Sequence, residues 1–304
     1  LVSTGSSYAF SAEGLSAATP FHLQPTDLGT YLFYDDGGGY LVAEGGVVSR
    51  QTSLKSDMTE NEDGYISGGE WALQTARDGE RYQLYSLRTG GLLSEDVALA
   101  EKDRHVAAIS LEETEGCAAF PELSVDATGT ITKTTFDDGD LYGIVDTHSH
   151  ILSNFAFGGG IFHGAAFHRL GVEHALPDCE TYHGEAGRRD FFGYAFDGGG
   201  NNATEIQDLL VDLLRGELTE DNHETAGYPD FPDWPDARNR STHQAQYYRW
   251  LERAWMGGLR LVIQHATSNS VICNLSVGEG ISESWYDCDC LLYTSPSPRD
   301  SFRS

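Results

Sequence analysis

Positive charge is the scarcest property of this sequence. Its 304 residues include 19 Lys and Arg against 47 Asp and Glu, a formal charge of −28. Nucleic-acid affinity rests on clustered cations that neutralise phosphates, so the deficit excludes a nucleic-acid partner. It also argues against an anionic membrane face, and no stretch approaches the roughly 18 consecutive apolar residues of a membrane span. Cysteine is sparse: five residues form no Cys-x-x-Cys pair and no zinc-finger spacing. There is no Gly-x-Ser-x-Gly elbow, and neither Gly158-Gly159-Gly160 nor Gly198-Gly199-Gly200 leads into the Lys-Ser/Thr of a phosphate cradle. What remains is an acidic chain, 39% hydrophobic, with ample apolar content for a buried core.

The chain opens Leu1-Val2-Ser3 without a Met, so the natural start and any signal peptide are expected to lie outside it. At the other end, Cys290-Leu291-Leu292-Tyr293-Thr294-Ser295-Pro296-Ser297-Pro298-Arg299-Asp300 resembles the translation of a transposase adaptor used to build sequencing libraries. Genuine protein is then expected to stop near Asp289, leaving 290–304 as a tail outside fold reasoning. Asn202-Ala203-Thr204, Asn239-Arg240-Ser241 and Asn274-Leu275-Ser276 fit the glycosylation sequon, which favours a secreted or extracytoplasmic location.

Up to residue 139 the chain reads as an all-β domain, its short apolar runs broken by Gly, Asp and Asn. It also repeats itself. Phe21-His22-Leu23-Gln24 matches Trp71-Ala72-Leu73-Gln74, and Tyr31-Leu32-Phe33-Tyr34 matches Tyr82-Gln83-Leu84-Tyr85. Gly39-Tyr40-Leu41 matches Thr89-Gly90-Gly91-Leu92, and a fainter third copy starts at Ala108-Ile109-Ser110-Leu111. Multi-strand repeats of about 40–50 residues indicate a propeller or a pseudo-threefold barrel. The pattern resembles the β-trefoil of fascin-like and lectin-like modules; an irregular sandwich is the alternative.

From 140 to 289 the pattern changes. Leu141–Asp146 is a short apolar strand running into Thr147-His148-Ser149-His150. Thr204-Glu205-Ile206-Gln207 has the form of a capping box, followed by Ile206, Leu209, Leu210, Leu213 and Leu214 on one helical face closed by Gly216. Pro229, Pro232 and Pro235 make 220–240 a loop. Ser241-Thr242-His243-Gln244 is a second capping box, with Tyr248, Leu251 and Trp255 behind it and Gly257-Gly258 as the stop. Leu259–Ile263 is a continuous apolar run, as in a strand buried on both faces of a parallel sheet. The expected architecture is multidomain: an all-β, β-trefoil-like domain followed by the first part of an α/β, (β/α)8-type barrel.

His148-Ser149-His150 is the sharpest chemical signal. Residues i and i+2 of an extended chain point the same way, so two imidazoles can face one ion, and imidazole nitrogen suits zinc and similar divalent metals. A bare His-x-His is expected about 0.4 times from this composition, and about 0.04 times with an Asp two residues earlier. Gly143-Ile144-Val145-Asp146-Thr147-His148-Ser149-His150 resembles the first barrel strand of the amidohydrolase superfamily of metal-dependent hydrolases. That resemblance implies His148 and His150 as metal ligands. It covers about ten residues, and the family's later ligands and its proton-transfer Asp find no counterpart here. The polymerase-and-histidinol-phosphatase barrels share the motif.

His265, directly after the second apolar strand, is the further candidate ligand. His163, His168, His174 and His183, with Asp178, Cys179 and Glu180 among them, read as packed or solvated loop polars near a site mouth. Asp146 reads as a group that orients the turn or a ligand histidine. The expected function is metal-dependent hydrolysis of an amide, ester or lactone in a small-molecule or peptide-like substrate, with a divalent ion, zinc by preference, as cofactor. As written the chain is expected to be inactive, because it supplies at most the first ligands. The alternative is a secreted carbohydrate- or protein-binding β-trefoil protein without catalysis, with Tyr31, Tyr40, Trp71 and Tyr82 stacking on a glycan.

Overall fold

A computed structural model describes residues 1–11, 13–55, 65–100, 105–159, 161–196, 214, 222–231, 242–267 and 269–277. The chain separates into two compact units, Leu1–Pro121 and Glu122–Ser304.

The first unit opens with an antiparallel pair, β1 (Val2–Ser3) and β2 (Tyr8–Ala9). Eight further strands follow: β3 (Phe21–Asp27), β4 (Thr30–Asp35), β5 (Tyr40–Glu44), β6 (Val47–Gln51), β7 (Trp71–Thr75), β8 (Tyr82–Ser86), β9 (Leu92–Leu93) and β10 (Leu99–Ala100). They form one antiparallel, nearly closed sheet in the order β10-β9-β8-β7-β4-β5-β6, with β3 paired to β4 beside that path. Gly45 and Gly46 form the two-residue turn between β5 and β6, both at positive φ, as a type I′ hairpin requires.

The internal repeat is visible as two four-strand copies, β3–β6 and β7–β10. The expected β-trefoil is not formed. The two copies join through β4 and β7 into a single sheet, and the third match contributes only an isolated bridge between Ile109 and Tyr82. The repeat unit is written in local alternation, whereas the number of copies that close a barrel depends on how copies pair.

Inward side chains of this sheet build an apolar core from Tyr8, Phe33, Leu41, Ala43, Val48, Trp71, Leu84, Leu93 and Val97. Trp71 is fully buried, and its Nε1–H donates to the Leu41 carbonyl at 2.8 Å. The most deeply buried carboxylate among this unit's described residues is Asp35. Asp35 accepts from the Tyr8 hydroxyl (2.7 Å), the Gly39 amide (2.8 Å) and Arg50 Nε and Nη2 (2.6 and 2.8 Å). Burial alone would raise its carboxyl, but these donors, Arg50 foremost, outweigh burial and hold it below the usual carboxylate range.

In the second unit, β11 (Ile144–Ser149) pairs in parallel with β12 (Leu259–Gln264). The helices are short: α1 (Val172–Ala175), α2 (Glu180–His183), α3 (Phe191–Phe196), α4 (Tyr248–Met256) and α5 (Ser270–Val277). The expected start of a (β/α)8 barrel is absent. The parallel sheet has two strands among the described residues, and the described chain between them makes short helices and 3-10 turns, the longest being the nine-residue α4, with no further strand of that sheet. Leu261 and Ile263 are 41% and 40% exposed, so β12 is not buried on both faces.

Helix α4 ends at Gly257, as its sequence indicates, but begins at Tyr248 rather than at the Ser241–Gln244 box. The box residues bond elsewhere: Thr242 donates to Asp190, and Gln244 Nε2 donates to the Ile151 carbonyl. The helix expected behind Thr204 lies outside the described residues apart from Leu214, as do Pro232, Pro235 and the 290–304 tail. The apolar cluster here is small, with Val172, Ala175, Leu176 and Tyr247 at its centre. No helix among the described residues is long and apolar enough to cross a membrane.

Candidate metal centre

The parallel pairing of β11 and β12 brings three sequence-predicted residues together. Ser149 pairs with Gln264, and the His265 amide continues the ladder to the Ser149 carbonyl at 2.8 Å. His148 and His150 therefore emerge at the same end of the sheet as His265. The Nε2 atoms of His148 and His150 are 3.1 Å apart. Two nitrogens each about 2.0–2.1 Å from one zinc ion would stand at nearly this separation, at an angle slightly below tetrahedral.

The other nitrogen of His150 is also engaged. Its Nδ1 lies 3.0 Å from the His265 carbonyl oxygen and 2.7 Å from Thr267 Oγ1. A carbonyl only accepts, so Nδ1 carries the proton and the Nε2 lone pair faces His148. Asp146 Oδ1 accepts from the His148 amide at 3.0 Å, the turn-orienting position expected of it. His265 is turned differently. Its ring stacks on His148 with centroids 4.4 Å apart, and its Nε2 lies 3.2 Å from the Thr147 carbonyl, which leaves Nδ1 for any ligation.

Beside this pair lies a cavity of about 440 Å³, a volume ordinary for a small-molecule site. His150, Ser153, His243, Gln244, Gln246 and Thr267 supply its polar wall; Ala156, Phe157, Phe162 and Ala245 supply the apolar one. Gln244 fixes that wall, donating to the Ile151 carbonyl (2.8 Å) and to Asn154 Oδ1 (3.0 Å).

A second group was not foreseen as a site. Cys179, His183, His223 and His243 are all buried, with one donor atom of each within 4.8 Å of the others, and together they can hold a metal ion. Cys179 and His183 sit one helical turn apart around α2, at i and i+4 on one face. His223 arrives because the Asn222 and His223 amides both donate to the Ala186 carbonyl. His243 arrives through its parallel bridge with His163. The Cys-x-x-x-His spacing was the only local signal; His223 and His243 are distant in sequence. Burial pushes His183 down to about 3, with His163 adding to the effect, so the ring is neutral. His163 is also lowered by burial, and its Nε2 faces the Pro177 carbonyl at 3.0 Å.

Of the aromatics read as a glycan platform, Trp71 and Tyr40 are core, Tyr31 packs on that core, and Tyr82 is 37% exposed. The chain matches no family model, no curated protein and no solved structure.

Proposed function

We propose that the second unit is a metal-dependent hydrolase, holding a divalent ion at His148 and His150 and binding a small-molecule or peptide-like substrate in the adjoining cavity. The observation that supports this is the 3.1 Å approach of the two Nε2 atoms, with His150 locked into the ligating tautomer by the His265 carbonyl. Imidazole donors favour zinc among the common divalent ions. An ion bound there supplies Lewis acidity toward a carbonyl and lowers the pKa of water. The chain's own groups hold and orient: Asp146 fixes the His148 backbone, Thr267 meets the His150 ring, and Gln244 braces the cavity wall. The resemblance of Gly143–His150 to amidohydrolases agrees with that chemistry. No carboxylate lines the cavity among the described residues. Secretion remains part of the proposal on the three sequons, of which Asn274 is exposed on α5.

Zinc titration by calorimetry tests the reading. The His148→Ala, His150→Ala double variant should lose one equivalent of zinc and keep the native circular dichroism spectrum. Undiminished zinc uptake by that variant overturns the assignment.

A further inference from the structure

We infer that Cys179, His183, His223 and His243 form a second, closed zinc site, with one thiolate and three imidazole donors, whose role is to hold the second unit together. It does not rest on the hydrolase reading, although His243 also lines the cavity beside His150. The donor spacing is the first support. Cys179 Sγ lies 3.4 Å from His223 Nε2, and His183 Nδ1 lies 3.3 Å from the same atom. Around a tetrahedral zinc, with zinc–nitrogen near 2.05 Å and zinc–sulfur near 2.3 Å, the ideal separations are about 3.6 and about 3.4 Å.

Hydrogen bonding does not account for this convergence. An imidazole nitrogen offers one in-plane direction, as either one proton or one lone pair. His223 Nε2 has two neighbours crowding that direction, and His243 completes the ring of donors. One ion at the centre would draw on all four donors, which lie within 4.8 Å of one another.

Charge supports the same answer. Asp190 is buried, and its Oδ2 lies 3.8 Å from His183 Nδ1 and 3.9 Å from His223 Nδ1. Its oxygens are already engaged, Oδ1 by the Gly193 amide at 2.8 Å and Oδ2 by the Thr242 hydroxyl. A dication, one thiolate and the Asp190 carboxylate sum to zero in an interior where an unbalanced anion is costly.

Cys179, His223 and Asp190 also resemble a thiol–imidazole–carboxylate catalytic triad. Burial decides against it. Cys179 is 1% exposed, His183 8%, His223 7% and His243 4%, so no substrate reaches the sulfur. A site with four protein donors and no open position is the structural kind. The backbone is shaped to it: at Gly187, φ is +70° and an added Cβ would collide with His223 Nδ1.

The test is cobalt substitution of the full chain. Wild type should show a thiolate-to-cobalt charge-transfer band in the near ultraviolet. Cys179→Ser should lose that band together with one metal equivalent, while His148→Ala with His150→Ala keeps it. Should Cys179→Ser fail to fold, chelation of the wild type still decides: zinc release should coincide with loss of the second unit's thermal transition. A cobalt protein without the thiolate band, or complete removal of zinc at unchanged Tm, overturns the inference.

Discussion

Each unit buries a carboxylate, and the two do so in opposite ways. In the first, Asp35 lies against Arg50, a cation supplied by the next hairpin, with Tyr8 and Gly39 completing its hydrogen bonds. In the second, Asp190 lies against imidazoles, and among the described residues no Lys or Arg pairs with it. The apolar surroundings differ in the same sense. Trp71, Leu41 and Leu84 anchor a broad core, whereas Val172, Ala175, Leu176 and Tyr247 make a small one. One unit balances its interior charge from its own sequence. The other, on the reading given above, imports the balance as a metal ion, so its stability is linked to metal concentration.

Four substitutions break or sharpen that contrast. The largest effect should come from Trp71→Ala, which empties a fully buried ring site and removes the bond to Leu41; a loss of about 4 kcal/mol is expected from the first unit. Two-transition calorimetry should show the second unit's transition and its metal content unchanged.

Arg50→Ala should cost about 3 kcal/mol, because it leaves Asp35 buried without its cation. The pH dependence has a definite sign. Asp35 titrates lower in the folded state than in the unfolded one, so its contribution is complete above the ordinary carboxylate range. It is lost as pH falls through the folded value. Urea midpoints measured across acid pH should decline less steeply in Asp35→Asn than in wild type. Zinc should restore neither variant.

The smallest effect belongs to Tyr247→Phe. The Tyr247 hydroxyl donates to Glu122 at 3.1 Å, and losing that bond should lower the second unit's stability by about 1 kcal/mol in urea denaturation.

What could be read from sequence followed how local the information was. The strands Phe21–Asp27 and Trp71–Thr75 announce themselves by alternation, and their likeness reveals the repeat. The meeting of His148 and His150 follows from their i, i+2 spacing, and His265 joins them because β12 is itself a legible apolar run. The number of repeat copies in the sheet is not local, and the trefoil expectation failed there. The Cys179 group failed to register for the same reason. His223 and His243 come from segments without strong periodicity, and the Ser241–Gln244 box looked like a helix cap while its side chains served Asp190 and Ile151. Hydrogen-bonding residues of that kind have several possible partners, and tertiary position chooses among them.

The seam between the two copies of the β repeat has a kinetic consequence. The pairings β3–β4, β4–β5, β5–β6, β7–β8, β8–β9 and β9–β10 all join consecutive strands. Among the strand pairings of the described residues in this sheet, only β4–β7 spans a long stretch of chain, bringing Thr30 and Tyr31 to Ala72 and Trp71. Hairpins of neighbouring strands close quickly, whereas a distant pairing must first overcome the entropy of a long loop. The slow step in folding the first unit is therefore expected at this seam, and Trp71→Ala should slow refolding measured by stopped-flow circular dichroism.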